Sequence, residues 1–429
     1  MGSNARKILF VLLLASVAVN IVLLARGRIP GYRSGNPAEP PAEAGNKPPG
    51  RWHAVDRQPG GQDMRSAIEK LESIGYVTGS TAAPEAMNVT VHDDTSAYSG
   101  LNLYTSGHAP EAILMDMQGT VLHTWQYAFN KAWPDRQIPG ETTGHQYWRR
   151  IHLFENGDLL AIFEGLGLIK IDKDSNLLWK YPAGAHHDLF VAEDGTIYVL
   201  IREISMYNGK PILEDFVALL NPDGVEIKRV SIVKCIENSL FAPLLANNST
   251  EGDFLHTNTI EVLDGRLASR SPAFRQGNVL VSFLYYNTIG VLDIEAEKMV
   301  WALSGMWRFQ HQPTIMPNGN MLIFDNLGLG ERSRVLELDP FTQQVYWEYS
   351  GTDHQPLYSE NCASCAVLPN GNILISETTR GRALEVTPDK RVVWEFISPW
   401  RTGKDNELIA SLLEMIRLPA DFASAWLEK

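Results

Sequence analysis

A short glycine-centred turn motif recurs along the chain and constrains the fold more than any other feature. It reads Glu155-Asn156-Gly157-Asp158, Glu193-Asp194-Gly195-Thr196, Gln276-Gly277-Asn278, Pro317-Asn318-Gly319-Asn320 and Pro369-Asn370-Gly371-Asn372. Asn-Gly and Asp-Gly favour the positive backbone angles that two-residue hairpin turns demand. Each copy is followed by a short β-rich run: LLAIF, IYVLI, VLVSF, MLIFD or ILISE. A further strand then ends near Asp172, Asp293, Asp339 or Thr387, and after a second turn comes a strand holding Trp179, Trp301, Trp347 or Trp394. An earlier copy runs from Asp116-Met117-Gln118-Gly119 to Trp125. The unit is four strands and two tight turns, repeating every 40 to 55 residues or so, which is the period of a propeller blade. Copies ending at Trp125, Trp179, Ile232, Trp301, Trp347 and Trp394 predict an all-β, six-bladed β-propeller. In it the recurrent Trp packs between neighbouring blades and carries no chemistry.

Composition sets limits on partners. The 429-residue chain has a formal net charge of -13, so non-specific binding to nucleic acid, which needs a cationic face, is excluded. An anionic ligand therefore requires a local cluster of cations.

The flanks differ from the repeat. Residues 8–25 (ILFVLLLASVAVNIVLLA) are apolar, with Arg6 and Lys7 before them and Arg26 and Arg28 after, which predicts a transmembrane anchor over residues 1–26. A cleaved signal peptide is the competing reading, and both export the rest of the chain. The expected placement is single-pass in a bacterial inner membrane with the globular part in the periplasm or outside the cell. Residues 27–62, rich in Pro, Gly and Ala, form the expected linker. Residues 63–429 form the propeller domain, flanked by helices at Met64–Tyr76 and, on the spacing of Leu408, Leu412 and Ile416, at Asp405–Glu428. The only cysteines are Cys235, Cys362 and Cys365. With no second pair to complete a zinc set, Cys362 and Cys365 are expected to form a local disulfide.

Phase within the repeat selects candidate chemistry. His187 lies eight residues before Gly195, and His311 eight before Gly319. Innermost strands of a propeller line its channel, so equivalent strand starts converge on the axis. His256 opens its blade in the same way, which brings three histidines to one mouth. The same offset falls on Arg149 and Ala363, so the ring is asymmetric. Arg149, Arg150, Arg308 and Arg332 are the candidate cations, and His186 and Asp188 flank His187.

Between residues 95 and 400 the sequence resembles the arylsulfotransferase family. The resemblance rests on Trp179 to Asp188 (WKYPAGAHHD), Gln310-His311-Gln312-Pro313 with the turn at Gly319, Phe324-Asp325-Asn326, Ser333 to Glu337 (SRVLE), and Tyr358-Ser359. It implies an exported six-bladed enzyme that moves a sulfuryl group from an aryl sulfate to a phenol through a histidine, with no cofactor. By this resemblance His311 and Arg332 are catalytic, with His187 or His256 as the upstream partner; phase and charge keep both His187 and His256 as catalytic candidates and make Arg149, Arg308 and His186 the candidate substrate-binding residues. Independently, a neutral imidazole can attack sulfur, and cationic groups can stabilise charge on sulfuryl oxygens. The family places its nucleophilic histidine one blade later, near Glu377 to Arg380, where this chain has none. Two alternatives therefore stand beside the transferase: a non-catalytic propeller that binds a ligand or protein over its mouth, and a metal-dependent lyase or hydrolase using the histidines as ligands.

Overall fold

The computed structural model describes residues 79–138, 142–246, 252–422 and 424–427. Their regular structure is almost all strand, with a few short helical turns. The expected anchor, linker and Met64–Tyr76 helix lie outside the described residues.

Among the described residues six antiparallel sheets of four or five strands follow one another, beside a small three-stranded sheet of Thr81–Ala82, Leu408–Ile409 and Arg401–Thr402. The second comprises Ile151–Leu153, Leu159–Phe163, Gly167–Ile171 and Leu177–Tyr181. The third runs from Ala185–Val191 through the long hairpin Ile197–Tyr207 and Lys210–Leu220 to Glu226–Ser231. The fourth begins at Thr257–Val262, the fifth at His311–Ile315 and the sixth at Ser364–Val367. The first sheet is assembled from both ends of the domain. Its inner strand is Leu412–Leu418, paired antiparallel with Leu101–Ser106 from Leu412 opposite Ser106 to Leu418 opposite Leu101. The strand Asn88–His92 is added to the outer edge of the sixth sheet, against Val392–Ile397. Each inner strand packs against the next sheet, and Leu412–Leu418 packs against Ile373–Glu377 of the sixth. The arrangement is all-β and propeller-like.

This corrects the expected C-terminal helix. Leu412 to Leu418 has apolar residues at helix spacing, but the first sheet otherwise exposes a bare inner edge, and pairing that edge outweighs local periodicity. Only Ser424–Leu427 is helical. Among the described residues no helix is long and apolar enough to cross a membrane, so the expected single-pass inner-membrane placement finds no support there.

The turn glycines behave as the motif requires, with φ between +83° and +87° at Gly119, Gly157, Gly195, Gly277, Gly319 and Gly371. The loops are one residue longer than expected. In the first of them Gly157 N–H donates to Phe154 O, and Phe154 N–H donates to Asp158 O. That is a three-residue loop in which only the glycine takes the left-handed conformation.

Four tryptophans each tie one sheet to its neighbour. Trp125 Nε1 donates to Gly157 O of the second sheet, Trp179 Nε1 to Pro222 O of the third, Trp347 Nε1 to Pro388 O of the sixth and Trp394 Nε1 to Met117 O of the first. Trp125 and Trp394 are fully buried, so their apolar faces fill the gap between sheets while the indole N–H fixes the spacing.

Arg150 marks the centre. Its guanidinium pairs with Asp188 of the third sheet at 2.9 Å and Glu414 of the first at 2.5 Å, and donates to Gln312 of the fifth. Asp188 also accepts from Ile260 N–H of the fourth sheet. A side chain that reaches the first, third and fifth of six sheets lies on the ring axis.

Candidate active site

Every inner strand of the third, fourth and fifth sheets begins with a break in register: between Ala185 and Leu189, between Thr257 and Ile260, and between His311 and Thr314. A bulge at a sheet end re-aims the side chains around it. Here it turns histidines toward the axis. His187 and His256 hold φ of +53° and +51°, a conformation uncommon for side-chain-bearing residues that clusters at functional sites.

His186, His187, His256 and His311 are all buried. The His187 ring stands 5.0 Å from His186 and 4.7 Å from His256, centroid to centroid. Each imidazole has an oriented partner. One of His186 Nδ1 and His187 Nδ1 donates to the other across 2.8 Å. Glu164 accepts from His187 N–H at 3.0 Å and places its other oxygen 3.6 Å from His187 Nδ1. Asp215 Oδ1 lies 3.4 Å from His186 Nε2, while Asp215 Oδ2 accepts from Thr257 N–H. His256 Nδ1 donates to Asp253 Oδ2 at 2.6 Å.

The tautomer of His311 is fixed by its neighbours. Nδ1 faces two acceptors, Phe309 O at 3.1 Å and Asn326 Oδ1 at 2.9 Å, so Nδ1 carries the proton and Nε2 the lone pair. The Asn326 amide is itself oriented by donating to Ser359 O and Cys362 O.

Burial governs the electrostatics. It drives His186 and His187 well below the usual histidine range, with nearby Arg202 adding to the effect on His186 and His256 to that on His187. Burial also takes His311 down to about 3 against the pull of Asn326. Asp215 is pushed up by burial and by Asp253. Burial works the same way on Asp253, but His256 outweighs it and holds that carboxyl below the usual range. Buried Arg149 lies 4.0 Å from Glu164, and Arg202 lies 3.9 Å from the same carboxylate. The centre therefore combines the neutral imidazoles of His186, His187 and His311 with two guanidinium groups, suited to a small anion.

An aromatic path leads outward from this cluster. Tyr285 meets His256 edge-on at 5.2 Å and Phe309 at 6.1 Å, and Tyr285 is exposed.

Of the residues singled out by sequence, His187, His256, His311, His186 and Arg149 gather here. Two do not. Arg332 lies on an exposed loop and pairs with Asp353 at 2.9 Å. Arg308 is exposed and covers the Phe309 ring, 5.5 Å from its centroid. The Cys362 and Cys365 thiols are free, which corrects the expected disulfide. Cys362 and Ala363 both have positive φ, at +55° and +88°. That double turn leaves Cys362 beside Arg149 and Glu164, whereas Cys365 enters the apolar core with Leu322 and Ile375.

The sequence reading missed Glu164, Arg202, Asp215, Asp253 and Asn326. A signal for three of them was present: Glu164, Arg202 and Asn326 each lie seven residues after a turn glycine, at Gly157, Gly195 and Gly319. For Glu164 and Asn326 that is just past the end of the second strand, and for Arg202 it is within the longer second strand Ile197–Tyr207, where Arg202 N–H donates to Gly184 O ahead of the first.

Residues 150–399, more than half of the chain, match the family model described as Arylsulfotransferase (ASST). No curated protein matches the sequence. Among solved structures, a protein of unknown function from Bacteroides caccae is 12% identical with a TM-score of 0.47, covering 74% of this chain and 98% of that one. A catalytically inactive virginiamycin B lyase from Staphylococcus aureus is 8% identical with a TM-score of 0.40, covering 73% and 89%. Neither likeness bears on chemistry.

Proposed function

Because the chain belongs to the arylsulfotransferase family, we propose that its histidine cluster transfers a sulfuryl group from an aryl sulfate to a phenolic acceptor, within a six-bladed propeller. The observation that carries the reading is the meeting of His187, His256 and His311, from three successive sheets, with Arg149 at one buried centre.

His256 is the nucleophile in this reading. Its Nδ1–H is committed to Asp253, so in the neutral ring Nε2 holds the lone pair, made more basic by the carboxylate behind it. Nε2 attacks sulfur, the bond from sulfur to the aryl oxygen breaks, and the phenolate leaves with the electron pair. The acceptor phenol then attacks sulfur from its oxygen, its proton passes to the departed phenolate, and the imidazole is restored. No oxidant or nucleotide is consumed. Arg149 faces the charge on the sulfuryl oxygens, and His311, fixed as the Nδ1–H tautomer, belongs to the same buried centre. Tyr285 and Phe309 offer an apolar approach for the aryl ring.

One observation favours a second reading, a binding propeller without turnover. At the last-sheet position where the family carries its nucleophilic histidine, this chain has Thr378 and Thr379. Intact-mass analysis after mixing with an aryl sulfate separates the two. The transferase reading expects a covalent sulfuryl adduct on the wild-type chain that is absent in His256→Ala; a chain that binds aryl sulfate yet never gains the adduct leaves the binding propeller.

A further inference from the structure

The geometry points to a divalent metal site of the zinc class at Glu164, His186 and His187, separate from the nucleophilic role of His256. The three side chains come from the second and third sheets, and their ligand atoms lie within 4.8 Å of one another with all three residues buried. His186 Nδ1 and His187 Nδ1 are 2.8 Å apart, and Glu164 Oε1 is 3.6 Å from His187 Nδ1. Around one zinc ion with bonds of about 2.0 to 2.2 Å, neighbouring ligand atoms stand roughly 3.0 to 3.5 Å apart. The two distances from His187 Nδ1 bracket this range, each within a few tenths of an ångström of it.

Two further atoms point the same way. Glu164 Oε1 and His186 Nε2 are buried without a hydrogen-bond partner, which is costly for groups of this kind. Metal binding resolves both. Glu164 Oε1 becomes a ligand. With both Nδ1 lone pairs on the ion, the His186 proton moves to Nε2, where Asp215 Oδ1 waits 3.4 Å away. A carboxylate behind a ligating imidazole is the usual second layer of a zinc site. Two nitrogens and one oxygen select zinc, cobalt or iron over calcium and magnesium, which prefer oxygen alone. Arg149 and Arg202, within about 4 Å of Glu164, keep the loaded site electropositive. Positions left open on the ion are therefore set to take an anion such as a sulfuryl or phosphoryl oxygen.

The test uses the full chain, stripped with a chelator and titrated with Zn²⁺ or Co²⁺ alone. One equivalent per chain is expected, with visible d–d absorption from Co²⁺. Glu164→Gln and His187→Gln abolish stoichiometric binding, and Asp215→Asn weakens it about 10- to 100-fold. A wild-type chain that takes up no stoichiometric metal overturns the site, as does unchanged affinity in Glu164→Gln. If His187→Gln fails to fold by circular dichroism, Glu164→Gln and Asp215→Asn decide the matter. The outcome is independent of sulfuryl transfer: an adduct without metal sinks this inference alone, and metal without an adduct sinks only the transferase reading.

Discussion

His256 Nδ1 and Asp253 Oδ2 lie 2.6 Å apart, on one short segment that enters the inner strand of the fourth sheet. The pair is local in sequence, three residues apart, yet it points into a centre built from three sheets. Asp253 is a positioning residue: it fixes the ring orientation and tautomer of His256 without touching the reacting atoms. Asp253→Asn keeps the volume but removes the charge that holds the proton on Nδ1. In the transferase reading kcat falls about 10²- to 10⁴-fold with KM little changed. Stopped-flow measurement of phenolate release checks this, with thermal melting to show that the fold is retained. A kcat within threefold of wild type would show that Asp253 serves the fold alone.

Arg150 supports the ring in a different manner. Its guanidinium neutralises Asp188 and Glu414, and all three are buried. Breaking such a pair from one side leaves carboxylates uncompensated, which costs about 3 to 5 kcal/mol. Arg150→Met should therefore lower the denaturant midpoint sharply, whereas Arg332→Met, at an exposed pair with Asp353, should change it by less than about 1 kcal/mol. Equal effects in chemical denaturation would contradict the axial placement of Arg150.

The repeat was legible because turn glycines and strand alternation are local properties, and six copies reinforce one another. Phase pointed to His187, His256 and His311, since radial repetition converts sequence offset into spatial proximity. What escaped depends on pairing between distant segments. Leu412 to Leu418 carries a helical pattern, and only the unpaired edge of Leu101–Ser106, about 310 residues earlier, makes it a strand. Arg332 sits close in sequence to the buried Asn326 and Ser333, but the loop that carries it leaves the sheet before turning back. The pairing of Cys362 with Cys365 was inferred from spacing, which cannot register two successive left-handed residues.

Glu261 gives the structure a pH dependence of its own. Its carboxylate accepts from Ile315 N–H of the fifth sheet. Burial pushes it up to about 7 from the ordinary 4.5, outweighing the hydrogen bonds from Thr314 and Ile315 that act in the opposite direction. The folded state therefore prefers the protonated form more than the unfolded chain does. Between pH 4.5 and 7 the folded protein binds the extra proton, so stability from this group is complete below about pH 4.5 and is lost as pH rises through about 7. A shift of this size corresponds to at most about 3 kcal/mol, and partial exposure of the side chain reduces it to about 1 to 2 kcal/mol. Glu261→Gln holds a neutral group of the same shape, keeps an acceptor for Ile315 and removes the titration. Relative to wild type it should be close to neutral at pH 4.5 and more stable by that amount at pH 8.5. Urea denaturation at the two pH values reads the difference directly. A wild-type stability advantage that grew with pH would mean that the charged carboxylate is the form the fold prefers, and the assignment would fail.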